Sequence, residues 1–286
     1  MVMEVWNKLA PAHVADVATS GAAIWIVKED GRIAHAKQVG GHFSPIPEPL
    51  NLHPGEFPEG SSHHEGIKFC RIDADIDGTL WAVAKNGTLW KYTGKRQIQS
   101  GSAATIEHTP RSHWRQTVAT KVIDVAVSTS EVSIVTSDGH LGFFFDVAQS
   151  QLTMAMNTSD FTRVGGYGER WALMKFGLLW VQITEHGTFQ WVPELGILGI
   201  ADVSQGIGHR VWVVHSEDGS IAATSSMSSA DEINNHLTTG MNFTRFQNTS
   251  GFRNIAACRS TEDSGYLAVA SKSDGTLWAC IAHPDK

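Results

Sequence analysis

The chain has 286 residues and a mass of 31.1 kDa, room for one large domain or two small ones. Twenty-two Lys and Arg stand against 29 Asp and Glu, a formal charge of −7, which argues against a nucleic-acid binder with its basic stripe for phosphates. A hydrophobic share of 42% argues against wholesale disorder, and no apolar run approaches the roughly 20 residues that span a bilayer.

The first residues, Met1 to Lys8, lack the basic start and apolar stretch of a signal peptide. Three cysteines, Cys70, Cys258 and Cys280, are too few for a disulfide framework. Both features point to a cytoplasmic protein, and the Asn-x-Ser/Thr sequons at Asn86, Asn157, Asn242 and Asn248 then read as chance. Glycine (27) and tryptophan (10) are abundant, which directs attention to internal repeats.

Asp77-Gly78-Thr79-Leu80-Trp81 recurs as Asn86-Gly87-Thr88-Leu89-Trp90 and as Asp274-Gly275-Thr276-Leu277-Trp278. In chain order, six apolar strands each run into a glycine turn. They are Ile24–Val27 before Gly31, Leu80–Val83 before Gly87, Val132–Val135 before Gly139, Leu179–Gln182 before Gly187, Val211–Val214 before Gly219 and Tyr266–Val269 before Gly275. Glycine supplies the positive φ that tight hairpin turns need. An earlier strand precedes each one: Asp16–Ala18, Ile72–Ala74, Asp124–Ala126, Trp171–Leu173, Asp202–Ser204 and Ile255–Ala257. About 11 residues before these sits an aromatic marker of a fourth strand: Trp6, Trp114, Phe161, Trp191 and Phe246. Only the second repeat lacks one, where a loop at 40–66 intrudes with its prolines and histidines. The period averages about 49 residues, and six periods fill the chain.

Four short strands per repeat make the blade of a β-propeller, and strands apolar on both faces suit blades packed on either side. No sustained 3.6-residue period supports a helical alternative. The fold class expected is all-β, a six-bladed propeller of four-stranded antiparallel blades forming one domain over 1–286. The chain begins with a strand of the kind that ends a repeat and stops after a third strand. Strand 4–9 is therefore expected to complete the last blade and close the ring.

The Trp-led strand, the apolar strand that follows it and the repeated Gly-x-Leu-Trp and Asp-Gly turns resemble the tectonin repeat. The likeness covers essentially the whole chain apart from 40–66, and is nearest to the fungal tectonin lectins. It implies a propeller that binds cell-surface glycans of bacteria and nematodes, O-methylated mannose or fucose among them, in a defence role.

The residues themselves offer little catalytic chemistry. Ser271-Lys272-Ser273-Asp274-Gly275-Thr276-Leu277-Trp278 approaches a sialidase turn, but its Asp and Gly are adjacent and no arginine triad can be assigned. There is no Gly-x-Ser-x-Gly elbow, phosphate loop or His-Glu-x-x-His helix, and Gly206-Ile207-Gly208-His209 lacks the third glycine of a dinucleotide fingerprint. His42, His53, His63 and His64 share the loop with Glu56, Glu59 and Glu65, without diagnostic zinc spacing. No enzyme, cofactor or metal is expected, nor insertion into a membrane.

Indole offers a sugar a rigid apolar face with one N–H donor, and nearby carboxylates can bind hydroxyls. The candidate sets are Trp25 with Glu29 and Asp30, Trp180 with Glu185, and Trp212 with Glu217 and Asp218, joined by Trp81 and Trp278. A methyl-binding pocket is expected around Trp25-Ile26-Val27 or Trp212-Val213-Val214. The competing reading of each Trp is core packing, and of each Asp-Gly a turn. Multivalent glycan binding is the leading function read from the chain; an intracellular protein-interaction scaffold is the alternative.

Overall fold

The computed structural model describes residues 3–9, 13–46, 66–92, 114–118, 121–128, 131–145, 152–155, 159–166, 170–185, 188–194, 197–206, 209–225, 241–258 and 267–283. Most of the histidine-rich loop, residues 47–65, lies outside the described residues, as does Gly187. The chain opens with β1 (Met3–Leu9), and six four-stranded sheets follow around a ring. The first blade is β2 (Val14–Ser20), β3 (Ala23–Lys28), β4 (Ile33–Ala36) and β5 (Ser44–Pro45). The second is β6 (Phe69–Ala74), β7 (Leu80–Ala84), β8 (Leu89–Tyr92) and β9 (Trp114–Val118). The third is β10 (Val122–Ser128), β11 (Glu131–Thr136), β12 (Leu141–Phe145) and β13 (Thr153–Met154). The fourth is β14 (Phe161–Gly165), β15 (Trp171–Met174), β16 (Leu179–Glu185) and β17 (Thr188–Pro193). The fifth is β18 (Ile200–Gln205), β19 (Val211–His215), β20 (Ile221–Ala223) and β21 (Thr244–Arg245). The sixth is β22 (Phe252–Ala257), β23 (Ala268–Lys272) and β24 (Leu277–His283), completed by β1.

β1 pairs antiparallel with β24 along its whole length, from Met3 opposite His283 to Leu9 opposite Leu277. The first strand of the chain thus closes the last blade, as the repeat phase requires. The innermost strands β2, β6, β10, β14, β18 and β22 contact one another in sequence around the axis, β22 returning to β2. A six-bladed propeller results.

The glycine turns fasten each blade to the next. Gly31, Gly87, Gly139, Gly219 and Gly275 have positive φ, and their carbonyls accept the N–H of Phe69, Val122, Phe161, Phe252 and Val14 at 2.9–3.1 Å. A Cβ on Gly139 would sit 2.5 Å from the Asp160 nitrogen, so a side chain is excluded as well as disfavoured. The fourth blade corrects the sequence frame. Trp171–Leu173 belongs to the second strand and Leu179–Gln182 to the third, while Phe161 opens the innermost strand. Its latch is Lys175-Phe176-Gly177, where a Cβ on Gly177 (φ 72°) would meet the Ile200 nitrogen at 2.3 Å. β16 and β17 pair as far as Glu185 opposite Thr188, and the acidic-x-Gly sequence Glu185-His186-Gly187 mimics that of a latch.

The axis carries a polar ring. Each innermost strand shifts register at one position, and the residues there are Asp16, Arg71, Asp124, Arg163, Asp202 and Asn254. Arg71 reaches across the axis: Nε donates to Asp124 (2.6 Å), Nη1 to Asp16 and Asn254 (both 2.8 Å), and Nη2 lies 3.5 Å from Asp202. The other carboxylate oxygens of Asp16, Asp124 and Asp202 accept the N–H of Ile72, Val164 and Ile255 from the following blade, each at 2.8 Å. Burial pushes Asp16 up to about 7; Arg71 opposes the shift, while Asp202 and Asp124 add to it. Asp202 is raised for the same reason. Burial works against the charge of Arg71, but the three aspartates outweigh it and hold the guanidinium protonated.

The ring alternates, and so do the blades. Aspartate marks the first, third and fifth, which have outer strands of two residues. Arg or Asn marks the second, fourth and sixth, whose outer strands run five, six and seven residues. The innermost strand begins with Val14, Val122 or Ile200 in the first group and with Phe69, Phe161 or Phe252 in the second. On the third strand, Ala34, Gly142 and Ala222 alternate with Trp90, Trp180 and Trp278. The molecule is therefore three two-blade units, and every second blade carries a Phe-Trp-Trp set completed by Trp114, Trp191 or Trp6 from its outer strand.

Candidate functional site: an aromatic cleft beside the closing strand

The ring closure creates a cleft of about 740 Å³ between the fifth and sixth blades. One wall is Arg245, Phe246, Gln247 and Asn248, from β21 and the turn after it. The other is Glu4, Val5 and Trp6 of β1 with Phe252, Lys272 and Trp278. All of these side chains except buried Phe252 are partly buried or exposed, because two-residue β21 leaves the outer strand of the sixth blade uncovered. Phe252 is the pivot: Trp6 lies tilted 5.3 Å from it and Trp278 stands edge-on at 6.3 Å. The fourth blade repeats this geometry, with Trp191 and Trp180 at 6.0 and 6.2 Å from Phe161.

The cleft is rigid. Trp278 Nε1 donates to Thr276 Oγ1 at 3.0 Å, which fixes the indole. Phe246 stacks on buried Trp212 (5.3 Å, 9°), and Trp6 meets Trp212 edge-on. Arg210 lies over Trp212 at 4.4 Å and grips both oxygens of Glu4 at 2.6 and 3.0 Å. Asn248 takes a positive φ of 61°, which asparagine tolerates better than most residues. Thr249 Oγ1 ties that turn down by donating to the Phe246 carbonyl and accepting the Ile221 N–H.

Of the residues singled out in the sequence, Trp278 lines this cleft and Trp212 lies beneath Phe246, against the wall. Trp212 and Trp81 are each 1% exposed and present no face to solvent. Trp25 is buried between His35 and Tyr92. Trp180 is half-buried beside Phe161, and Glu185 ends β16, its side chain outside the described residues. Glu29, Asp30, Glu217 and Asp218 sit exposed at the turns rather than beside an open indole. Asp30 binds Arg32 and Asp218 the Ser220 N–H, hydrogen bonds that hold both carboxyls below the usual range. The pocket expected around Trp25-Ile26-Val27 or Trp212-Val213-Val214 does not open there: those side chains are core, because second strands are packed on both faces.

Sequence reasoning missed Arg245, Gln247 and Lys272, and used Trp6 and Phe246 only as strand markers. Their convergence depends on the chain's first strand meeting its last, which no local pattern displays. Among the described residues no group of three His, Cys, Asp or Glu is placed to hold a metal ion. Burial raises the thiol of Cys280 to about 12, with Glu4 adding to the effect, and also raises that of Cys70, so neither is an activated nucleophile.

No protein-family model and no curated protein matches the chain. Solved structures do. YCF48 bound to a D1 peptide is 15% identical, with a TM-score of 0.54 over 96% of this chain and 79% of that one. Virginiamycin B lyase from Staphylococcus aureus is 10% identical, with a TM-score of 0.55 over 98% and 99%. Human WBSCR16 is 10% identical, with a TM-score of 0.56 over 94% and 76%. At such identity these likenesses show the propeller fold alone. They include an enzyme and a peptide-bound protein, so the fold does not choose between chemistry and binding.

Proposed function

We propose that this propeller is a non-enzymatic, multivalent glycan-binding protein and that the cleft between the fifth and sixth blades is one of its sites. The observation that carries the reading is the partly exposed set Trp6, Phe246 and Trp278 around buried Phe252, rimmed by the amides of Gln247 and Asn248. Flat aromatic faces suit the C–H face of a pyranose, and primary amides both donate to and accept from hydroxyls. Recurrence of a partly exposed set on the fourth blade, Trp180 and Trp191 beside Phe161, supports multivalency, which lifts weak single-site binding by about 10² to 10⁴. The tectonin likeness suggests O-methylated mannose or fucose on bacterial and nematode surfaces, and a protein stored in the cytoplasm for defence. One buried methyl contributes roughly 0.8 kcal/mol, and discrimination of one carbon in an apolar pocket reaches about 1–3 kcal/mol. A methylated sugar should therefore bind about ten-fold more tightly than its parent in calorimetry. Agglutination of bacteria that a free sugar inhibits, and that Trp278→Ala abolishes, tests the reading.

A second reading is a protein-interaction scaffold. It is favoured by Phe176, 98% exposed at φ 69° on the fourth-blade latch, and by Leu198, exposed on the loop that this latch meets. A scaffold would lose its partner on Phe176→Ser and would not agglutinate cells.

A further inference from the structure

We propose that this cleft selects carbohydrates bearing an oxyanion, a carboxylate or a sulfate ester, with Lys272 as its anchor and Arg245 on the opposite wall. The proposal deepens the carbohydrate reading of the same cleft and rests on it.

Lys272 sits where the repeat does not need a cation. On the antiparallel register Phe252 faces Lys272, whereas the equivalent Phe69 faces Ala84 and Phe161 faces Met174. The three Phe-Trp-Trp sets occupy the same strand positions, and only this one pairs its phenylalanine with a charged residue. The ammonium lies 4.7 Å from the centroids of both Phe252 and Trp278, held by two aromatic faces. It forms no ion pair with a described residue. Asp274, which feels its charge, already accepts the N–H and hydroxyl of Thr276 at 2.9 and 2.7 Å.

The acidic side of the cleft is already neutralised. Among the described residues Glu4 is the one carboxylate in its lining, and Arg210 holds both its oxygens. Arg245, on the opposite wall, lies 3.6 Å from Asp218 and 3.3 Å from His215. With Glu4 paired to Arg210 and Arg245 to Asp218, Lys272 is the cation of the cleft lining that no described carboxylate pairs, in a protein whose net charge is −7. A neutral sugar offers Lys272 only hydroxyl oxygens as acceptors. A pyranose stacked on Trp278 with an anionic substituent gains a charge-assisted hydrogen bond, the stronger class.

The test is a glycan array of neutral sugars with their uronate and 6-sulfate counterparts, followed by calorimetry of the best matched pair at 50 and 500 mM NaCl. The acidic member should bind at least ten-fold more tightly at low salt, and the gap should narrow at high salt as screening grows. Uronate and sulfate arms distinguish the two sources of charge. Lys272→Met, a residue the fourth blade already carries at this position, should bring the acidic sugar down to the affinity of its neutral parent in the same variant, so that the ratio of the two falls from ten-fold or more to about one. Equal binding of both members, or equal losses on Lys272→Met, overturns the oxyanion proposal while the carbohydrate reading survives. No glycan bound at all overturns both.

Discussion

Raising the pH from 5 to 8 should weaken the axial ring, and Asp16 should be the main cause. Its carboxyl is buried among Arg71, Asp202 and Asp124 and is raised to about 7, whereas in the unfolded chain it returns to 3.8. Between those values the folded protein keeps a proton that the unfolded chain has released. Stability from this group is therefore complete below about pH 4, falls by up to about 1.4 kcal/mol per pH unit, and levels off above 7. From pH 5 to 8 the loss amounts to about 2–3 kcal/mol. His35 and His215, both depressed by burial, act with the opposite sign as pH rises toward 6.5, so the raw profile mixes the two effects. Asp16→Asn separates them, because its amide oxygen still accepts the Ile72 N–H while the titration is gone. Urea unfolding followed by tryptophan fluorescence at pH 5, 6, 7 and 8 supplies both profiles. The difference between wild type and variant should change by about 2–3 kcal/mol across the range. Profiles that run parallel to within about 0.5 kcal/mol would refute the reasoning.

Deleting residues 1–9 removes the strand paired with β24 and takes Trp6 from Phe252, Trp212 and Phe246; no cooperative thermal transition should remain. Gly177→Ala should cost several kcal/mol, because its Cβ meets backbone at 2.3 Å, while Gly40→Ala, with nothing within 4 Å, should cost only about 1 kcal/mol of left-handed strain. Differential scanning calorimetry separates the two, since 1 kcal/mol moves the midpoint by about 2–4 °C at this size. Glycan binding should persist in EDTA; loss with rescue by calcium or zinc would show a metal-dependent site.

The propeller was legible because its constraint repeats locally. A glycine turn must avoid the backbone of the next blade, so Gly31, Gly87, Gly139, Gly219 and Gly275 recur with apolar strands before them. The fourth blade misled because Phe176 replaces the usual Asp or Asn before its glycine while Glu185-His186-Gly187 supplies an imitation. The axial ring was hidden: Asp16, Arg71, Asp124, Arg163, Asp202 and Asn254 meet only once the strands radiate from one axis. A signal did exist, since each lies two residues beyond the first apolar residue of its innermost strand. The candidate tryptophans divided by strand. Those on second strands, Trp25, Trp81 and Trp212, became core, and those on third strands, Trp180 and Trp278, kept an edge toward solvent. Nothing in the spacing of residues 4–6, 245–248, 272 and 278 could announce a shared cleft without first placing β1 beside β24.

The most direct measurement is a glycan array probed with the wild-type protein and with Trp278→Ala, the two matched for folding by their far-ultraviolet circular dichroism. The account predicts discrete glycan signals from the wild type and their loss or marked weakening in the variant. An array without signal, or signals that Trp278→Ala leaves untouched, would contradict the assignment of the cleft between the fifth and sixth blades as a carbohydrate site.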